Sequence, residues 1–209
     1  MSDQFRILTI CTGNVCRSPL AKLLLQKHLA EFSFIKVDSA GVAAMRSHPM
    51  PPNSLMIAEQ LNLDGSELHR ARQLSDEDLA NADLILAMDR THRRSVVEQS
   101  PRSARRVFTV RELARLVEVA KFEDFKEEIG NRDLCDAELL RTAIGVAQFG
   151  RSELSPFDHP EDEDVIDPIG GPEGKFIQSA EQLVPAIDAI SRYFKATLKQ
   201  FGGETIYRD

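Results

Sequence analysis

The segment Cys11-Thr12-Gly13-Asn14-Val15-Cys16-Arg17-Ser18 sets a thiol five residues ahead of a guanidinium, with a glycine and small polar residues between them. It follows an apolar, β-branched run, Phe5 to Ile10, and leads into a leucine-rich stretch. A loop that leaves a strand and enters a helix turns successive N–H groups toward one point, and the helix dipole adds positive potential there. Such a cradle takes a phosphate-like anion. Gly13 is expected to supply the close turn and its unusual φ. The planar fork of Arg17 can hold two oxyanions at once. Thiols placed in such positive surroundings ionise more readily than free ones. A thiolate facing a phosphoryl group held by N–H donors and arginine is arranged for nucleophilic displacement at phosphorus.

Several elements must position this loop. Phe5 to Ile10 reads as a buried strand. Ser18-Pro19 reads as a helix start, Ser18 capping, and Leu20, Leu23, Leu24, Leu25 and Leu29 recur at helical spacing. Phe34 to Val37 is expected as a second strand ending at Ser39-Ala40-Gly41, Asp83 to Met88 as a third and Arg106 to Thr109 as a fourth. Helices are expected over Pro51 to Leu63 and Phe176 to Phe201. Strands alternating with helices imply a parallel sheet covered on both faces. Residues 116–160 carry helix-like material, Val117 to Ile129 and Leu134 to Phe149, and add no strand.

The length of 209 residues suits one domain with an addition or two small domains. A hydrophobic share of 42% and a charged share of 28% are those of a globular chain. No apolar run approaches the roughly 20 residues needed to span a bilayer, and Met1 to Gln4 leads into the first strand without a basic signal region. These features predict a cytoplasmic protein with no membrane partner. A net charge of −7 disfavours nucleic acid as a partner. Arg90, Arg93, Arg94, Arg102, Arg105, Arg106 and Arg111 make one region basic, and Asp158, Glu161 to Asp164 and Asp167 make another acidic; both read as solvated faces.

The octapeptide resembles the Cys-x5-Arg-Ser phosphate loop of the low-molecular-weight protein tyrosine phosphatases, down to Gly13-Asn14, Cys16 and Ser18-Pro19. Ser39-Ala40-Gly41, His69-Arg70-Ala71-Arg72-Gln73, Ala87-Met88-Asp89 and Asp167-Pro168 follow in the family's order, so the likeness spans residues 5–115 and 161–200. It implies a three-layer α/β sandwich around a four-stranded parallel sheet of order 2-1-3-4. It also implies hydrolysis of phosphate monoesters on protein, foremost phosphotyrosine. In that reading Cys11 is the nucleophile, Arg17 stabilises the transition state, and Asp167 is general acid and then base. Thr12, Gly13, Asn14, Val15, Cys16, Arg17 and Ser18 line the phosphate, and Asn14, Ser18, Ser39 and His69 brace the loop. Cys16 can form a protective disulfide with Cys11. No metal or cofactor is implied, because Arg17 and the loop supply the positive charge. Pro168 independently biases Asp167 toward an extended backbone.

Asp167-Pro168 is followed by Ile169-Gly170-Gly171-Pro172, and Val42 to Met50 offers Met45 and His48, so the rim is aliphatic where many family members carry aromatics. The only tyrosines are Tyr193 and Tyr207. Three other readings share the loop. Protein-arginine phosphatases tend to have Thr where this chain has Val15. Thioredoxin-coupled arsenate reductases need a cysteine pair after the third strand, and Asp89 to Arg106 has none. A non-catalytic phosphate-binding module would have no need of Cys11, Arg17 and Asp167 together. Cys135 is expected to be a buried small residue, and His48, His92 and His159 to lie on the surface. Residues 116–160 read as an insertion within one domain spanning 1–209, placed to lean over the site and replace the aromatic rim.

Overall fold

The computed structural model describes residues 3–202; Met1, Ser2 and residues 203–209, Tyr207 among them, lie outside the described residues. Phe5–Cys11 forms β1 because its side chains alternate between two apolar environments. Phe5, Ile7 and Cys11 enter one core cluster, while Leu8 and Ile10 enter another. Ile35–Gly41 (β2), Leu84–Ala87 (β3) and Val107–Thr109 (β4) complete a parallel sheet of order β2-β1-β3-β4. β3 alternates in the same way: Leu84 and Leu86 face the larger cluster, Ile85 and Ala87 the smaller.

Arg17–His28 (α1), Pro52–Gln60 (α2), Val110–Val119 (the later α5) and Glu173–Phe201 (the final α8) contribute to the larger cluster. Asp76–Asn81 (α3) and Arg90–Gln99 (α4) cover the opposite face through Leu79 and Val96. This is the three-layer arrangement expected from the sequence. Parallel strands leave β1 in opposite directions, toward β2 on one side and β3 on the other, so a crevice opens at their carboxyl ends. Cys11 ends β1 and pairs in register with Gly41, which puts the thiol in that crevice.

The region 116–160 departs from its expected layout. The stretch beginning at Val117 is not one helix: α5 stops at Val119 and Phe122–Ile129 (α6) starts anew after Ala120-Lys121. Asp136–Phe149 (α7) then buries Ala137, Leu139, Leu140, Ala143, Ile144, Val146 and Ala147 in the same cluster as α8. Tyr193 of α8 stacks on Phe122 at 6.1 Å and donates its hydroxyl to the Ala143 carbonyl at 3.0 Å. Arg141 bonds Asp83 (2.8 Å) and the Gln4 carbonyl (2.7 Å), just before β3 and β1. That is the amino end of the sheet, so α7 does not lean over the loop; its apolar face is drawn to α8 instead. Cys135, expected to be buried, is exposed at the start of α7. Among the described residues, no helix is long and apolar enough to cross a membrane.

Candidate active site

The loop between β1 and α1 is shaped by where its carbonyls go. Those of Cys11, Thr12 and Gly13 accept hydrogen bonds from the N–H groups of Val42, Ala43 and Met45, each at 3.0 Å. Three carbonyls are thus spent on the segment that follows β2, on the side away from the thiol's own donor. The Asn14 N–H donates to Cys11 Sγ at 3.3 Å.

The left-handed residue is Asn14 (φ 55°), not Gly13 as expected. Asparagine tolerates this region because its short side chain can hydrogen-bond locally. Here Asn14 is wholly buried and fully engaged. Its Nδ2 donates to Ser18 Oγ (3.0 Å), its Oδ1 accepts from the Arg72 N–H (2.9 Å), and its carbonyl accepts from His69 Nε2 (2.7 Å). His69 therefore carries its proton on Nε2. Burial lowers its pKa against the raising effect of the Asn14 carbonyl, which favours the neutral ring.

Ser18 also differs from its expected role. Helix α1 begins at Arg17, Cys16 occupies the capping position but its side chain makes no capping bond, and Ser18 falls inside the first turn. Its hydroxyl lies 3.0 Å from Cys11 Sγ. Ser39, expected to brace the loop, is buried with no hydrogen-bond partner for its hydroxyl among the described residues. Cys16 is buried as a thiol, its pKa pushed up to about 11 by burial, with a Ser54 hydrogen bond offsetting part of the effect.

Arg17 is 4% exposed and projects from the first turn of α1. Its Nη1 donates to Asp89 Oδ2 (3.1 Å) and to the Val165 carbonyl (3.0 Å), and its Nη2 lies 2.7 Å from Asp167 Oδ2. The structure thus brings Asp167 to the crevice that holds Cys11 and Arg17, joining two distant parts of the chain. The other Asp167 oxygen accepts from the Ile169 N–H at 3.2 Å, closing a turn across Pro168.

Two groups at the site had no role assigned from sequence. Asp89 caps α4 and bonds Arg17. Burial alone would raise its carboxyl, but contacts from the His92 ring, the Thr91 hydroxyl and the His92 N–H outweigh that and hold it well below the usual carboxylate range. His92, expected on the surface, is 2% exposed; its Nδ1 is 2.9 Å from Asp89 Oδ1, and its Nε2 is 2.8 Å from Thr12 Oγ1. An aspartate just after a strand and three residues before a histidine at a helix start was the available signal. Near the loop, Met45 beside Gly13 and Ile169 beside Asp167 are exposed apolar side chains.

A model of the family described as low molecular weight phosphotyrosine protein phosphatase matches residues 6–124. A probable low molecular weight protein-tyrosine-phosphatase, EpsP of Ralstonia nicotianae, is 37% identical over 107 residues, 51% of this chain and 71% of that protein. A protein-arginine-phosphatase of Geobacillus stearothermophilus is 33% identical over 108 residues, 52% of this chain and 70% of that protein. Among solved structures, the YwlE arginine phosphatase of G. stearothermophilus superposes with a TM-score of 0.65 at 24% identity, covering 96% of this chain and 99% of that one. At that identity the superposition speaks to the fold.

Proposed function

This chain belongs to the low-molecular-weight phosphotyrosine protein phosphatase family, and we propose that it hydrolyses phosphotyrosine on protein substrates through a cysteinyl-phosphate intermediate. One observation carries the residue assignment. Cys11 Sγ, held between Ser18 Oγ and the Asn14 N–H, shares a crevice with the buried Arg17 fork, and that fork reaches Asp167.

The chemistry proceeds in two displacements. The Cys11 thiolate attacks phosphorus, an S–P bond forms, and the P–O bond to the leaving group breaks. Asp167 delivers its proton to the departing oxygen. Arg17 and the N–H groups of residues 12–18 meet the charge on the equatorial oxygens. Water then attacks phosphorus, Asp167 takes its proton, the S–P bond breaks, and inorganic phosphate leaves with the thiolate restored.

A second reading, hydrolysis of phosphoarginine, is favoured by the mouth. Met45 and Ile169 offer aliphatic walls, which suit a methylene stem as well as a ring. Val15 argues the other way, since it brings no hydroxyl. Hydrolysis of phosphotyrosine, phosphoserine and phosphoarginine peptides side by side separates these readings. Preference for phosphotyrosine supports the first, preference for phosphoarginine the second, and no turnover of any peptide contradicts both. We further assign the whole chain to one phosphatase domain carrying residues 116–160 as an insertion, a reading supported by the core that α7 shares with α8. A cytoplasmic location fits the composition and is tested by cell fractionation.

A further inference from the structure

The basic region around α4 and the acidic run before Asp167 meet at Arg90 and Asp164. Arg90 Nη2 donates to Asp164 Oδ2 at 2.9 Å, and Arg90 Nε sits 3.1 and 3.2 Å from the two carboxylate oxygens. The Arg90 main-chain N–H, the first of α4, donates to Asp164 Oδ1 at 2.9 Å. The carboxylate is therefore held by a planar fork and by a helix N-terminus together.

The position of this pair matters more than its charge. Arg90 directly follows Asp89, the partner of Arg17, and Asp164 precedes Asp167 by three residues. Between them the chain is fastened at each step. The Asp164 carbonyl accepts from Arg111 Nη1 (3.2 Å), the Val165 N–H donates to the Met88 carbonyl (2.8 Å), and the Ile166 N–H donates to Gln182 Oε1 (2.8 Å). Asp167 itself is 43% exposed along its side chain and, among the described residues, is held by Arg17 and its own turn. Once substrate engages Arg17, the backbone fastenings and that turn decide where the carboxyl stands. Displacements of about 1 Å in such a group can cost on the order of a hundredfold in rate.

We propose that the Arg90–Asp164 fork is a clamp that positions Asp167 for proton transfer, so that Arg90 and Asp164 act as positioning residues through it. The proposal rests on the reading of Asp167 as general acid. Arg90 is 41% exposed along its side chain, and exposed ion pairs add little to global stability. Loss of the fork should therefore be read in proton transfer and hardly at all in melting temperature.

The test compares Arg90→Gln, Arg90→Lys, Asp164→Asn and Asp167→Asn in the full chain. For each, kcat/KM is measured on a series of aryl phosphates of rising leaving-group pKa, with inorganic phosphate as competitive inhibitor and thermal melting alongside. In Arg90→Gln and Asp164→Asn the poorest leaving groups should slow about tenfold and the best less than about twofold, with phosphate inhibition shifting no more than it does in Asp167→Asn, since the fork reaches the anion only through that carboxyl. Lysine, lacking the fork, should not restore the slope. Adding Arg90→Gln to Asp167→Asn should cost nothing further, since the clamp acts only through that carboxyl. Equal slowing across the series, full rescue by lysine, or additive losses would overturn the clamp. If Arg90→Gln fails to fold, Asp164→Asn decides by the same measures. A flat response in Asp167→Asn itself would overturn the general-acid reading, and the clamp with it; a steep response there with none in the fork variants overturns the clamp alone.

Discussion

Arg17 Nη2 lies 2.7 Å from Asp167 Oδ2, so the residue assigned to bind the phosphoryl oxygens and the residue assigned to protonate the leaving group face each other directly. The other guanidinium nitrogen is tied to Asp89 Oδ2 at 3.1 Å. An incoming oxyanion must share Arg17 with Asp167 and suffers repulsion from its carboxylate. Asp89, deeper and more tightly bonded, keeps the guanidinium oriented throughout.

Removing the Asp167 charge should therefore improve anion binding while impairing turnover. Asp167→Asn is expected to bind inorganic phosphate about three- to tenfold more tightly near neutral pH, as read by competitive inhibition of aryl phosphate hydrolysis. Unchanged or weaker binding would mean that the ion pair does not compete with substrate.

The Ser18 hydroxyl stands 3.0 Å from both Cys11 Sγ and Asn14 Nδ2. Hydrogen bonds to charged groups are worth about 1.5–3 kcal/mol, so Ser18→Ala should lower kcat/KM roughly 10- to 150-fold. Circular dichroism should hold, because Asn14 keeps its Arg72 and His69 partners, while stability should fall by about 1–3 kcal/mol, because its Nδ2 loses the Ser18 acceptor. A loss below twofold would remove the hydroxyl from thiolate stabilisation.

Asp89 sets an acid limit on stability. Its folded-state pKa is depressed, so between that value and the unfolded value near 4 the unfolded chain binds more protons. Its contribution is full above about pH 4 and is lost as the pH falls through the folded pKa. Asp89→Asn should consequently be less stable than the parent at pH 7, with the gap closing as the pH drops below about 4. Urea unfolding at a series of pH values measures this; a gap that stays constant with pH would contradict the assignment.

Cys16, buried near Cys11 with its pKa pushed up to about 11, is a poor nucleophile at neutral pH. Peroxide should convert Cys11 to a sulfenic acid, which condenses with the Cys16 thiol to a disulfide and water. Formation of that disulfide should quicken as the pH rises toward 11, and thiols should restore activity. In Cys16→Ser the recovery after excess peroxide should fall several-fold. Equal recovery in both proteins would exclude the protective role.

Gly41 pairs with Cys11 across β1 and β2, and a Cβ there would run into the Thr12 carbonyl, with Ala44 a further 3.1 Å neighbour. The obstruction is backbone, which cannot swing aside. Gly41→Ala should destabilise the protein by about 1–3 kcal/mol and reduce activity together, as measured by denaturant melts and aryl phosphate turnover. Unchanged stability would show that the loop has slack.

Much of this architecture is legible in the sequence because the strands are short apolar runs punctuated by loops, and periodicity reports those directly. The expected strand order, with Cys11 in the crevice, follows from the family resemblance together with the strand ends. What periodicity does not report is which hydrogen bond wins locally. Ser18 reads as a cap by type, yet α1 starts one residue earlier and turns the hydroxyl to the sulfur. Gly13 reads as the left-handed residue, but Asn14 takes that place because three partners reward its side chain and carbonyl. His92 reads as surface, whereas capping by Asp89 draws the first turn of α4 onto Thr12. The Arg90–Asp164 contact joins residues 74 apart, a distance at which charge patterning carries no pairing information.

The central claim is that phosphate passes through Cys11. Rapid-quench mass spectrometry during turnover of an aryl phosphate should find one phosphoryl group on the peptide carrying Cys11, decaying as substrate is exhausted. Cys11→Ser should show no turnover while still binding inorganic phosphate. Phosphate on a different residue, or turnover retained by Cys11→Ser, would contradict the account.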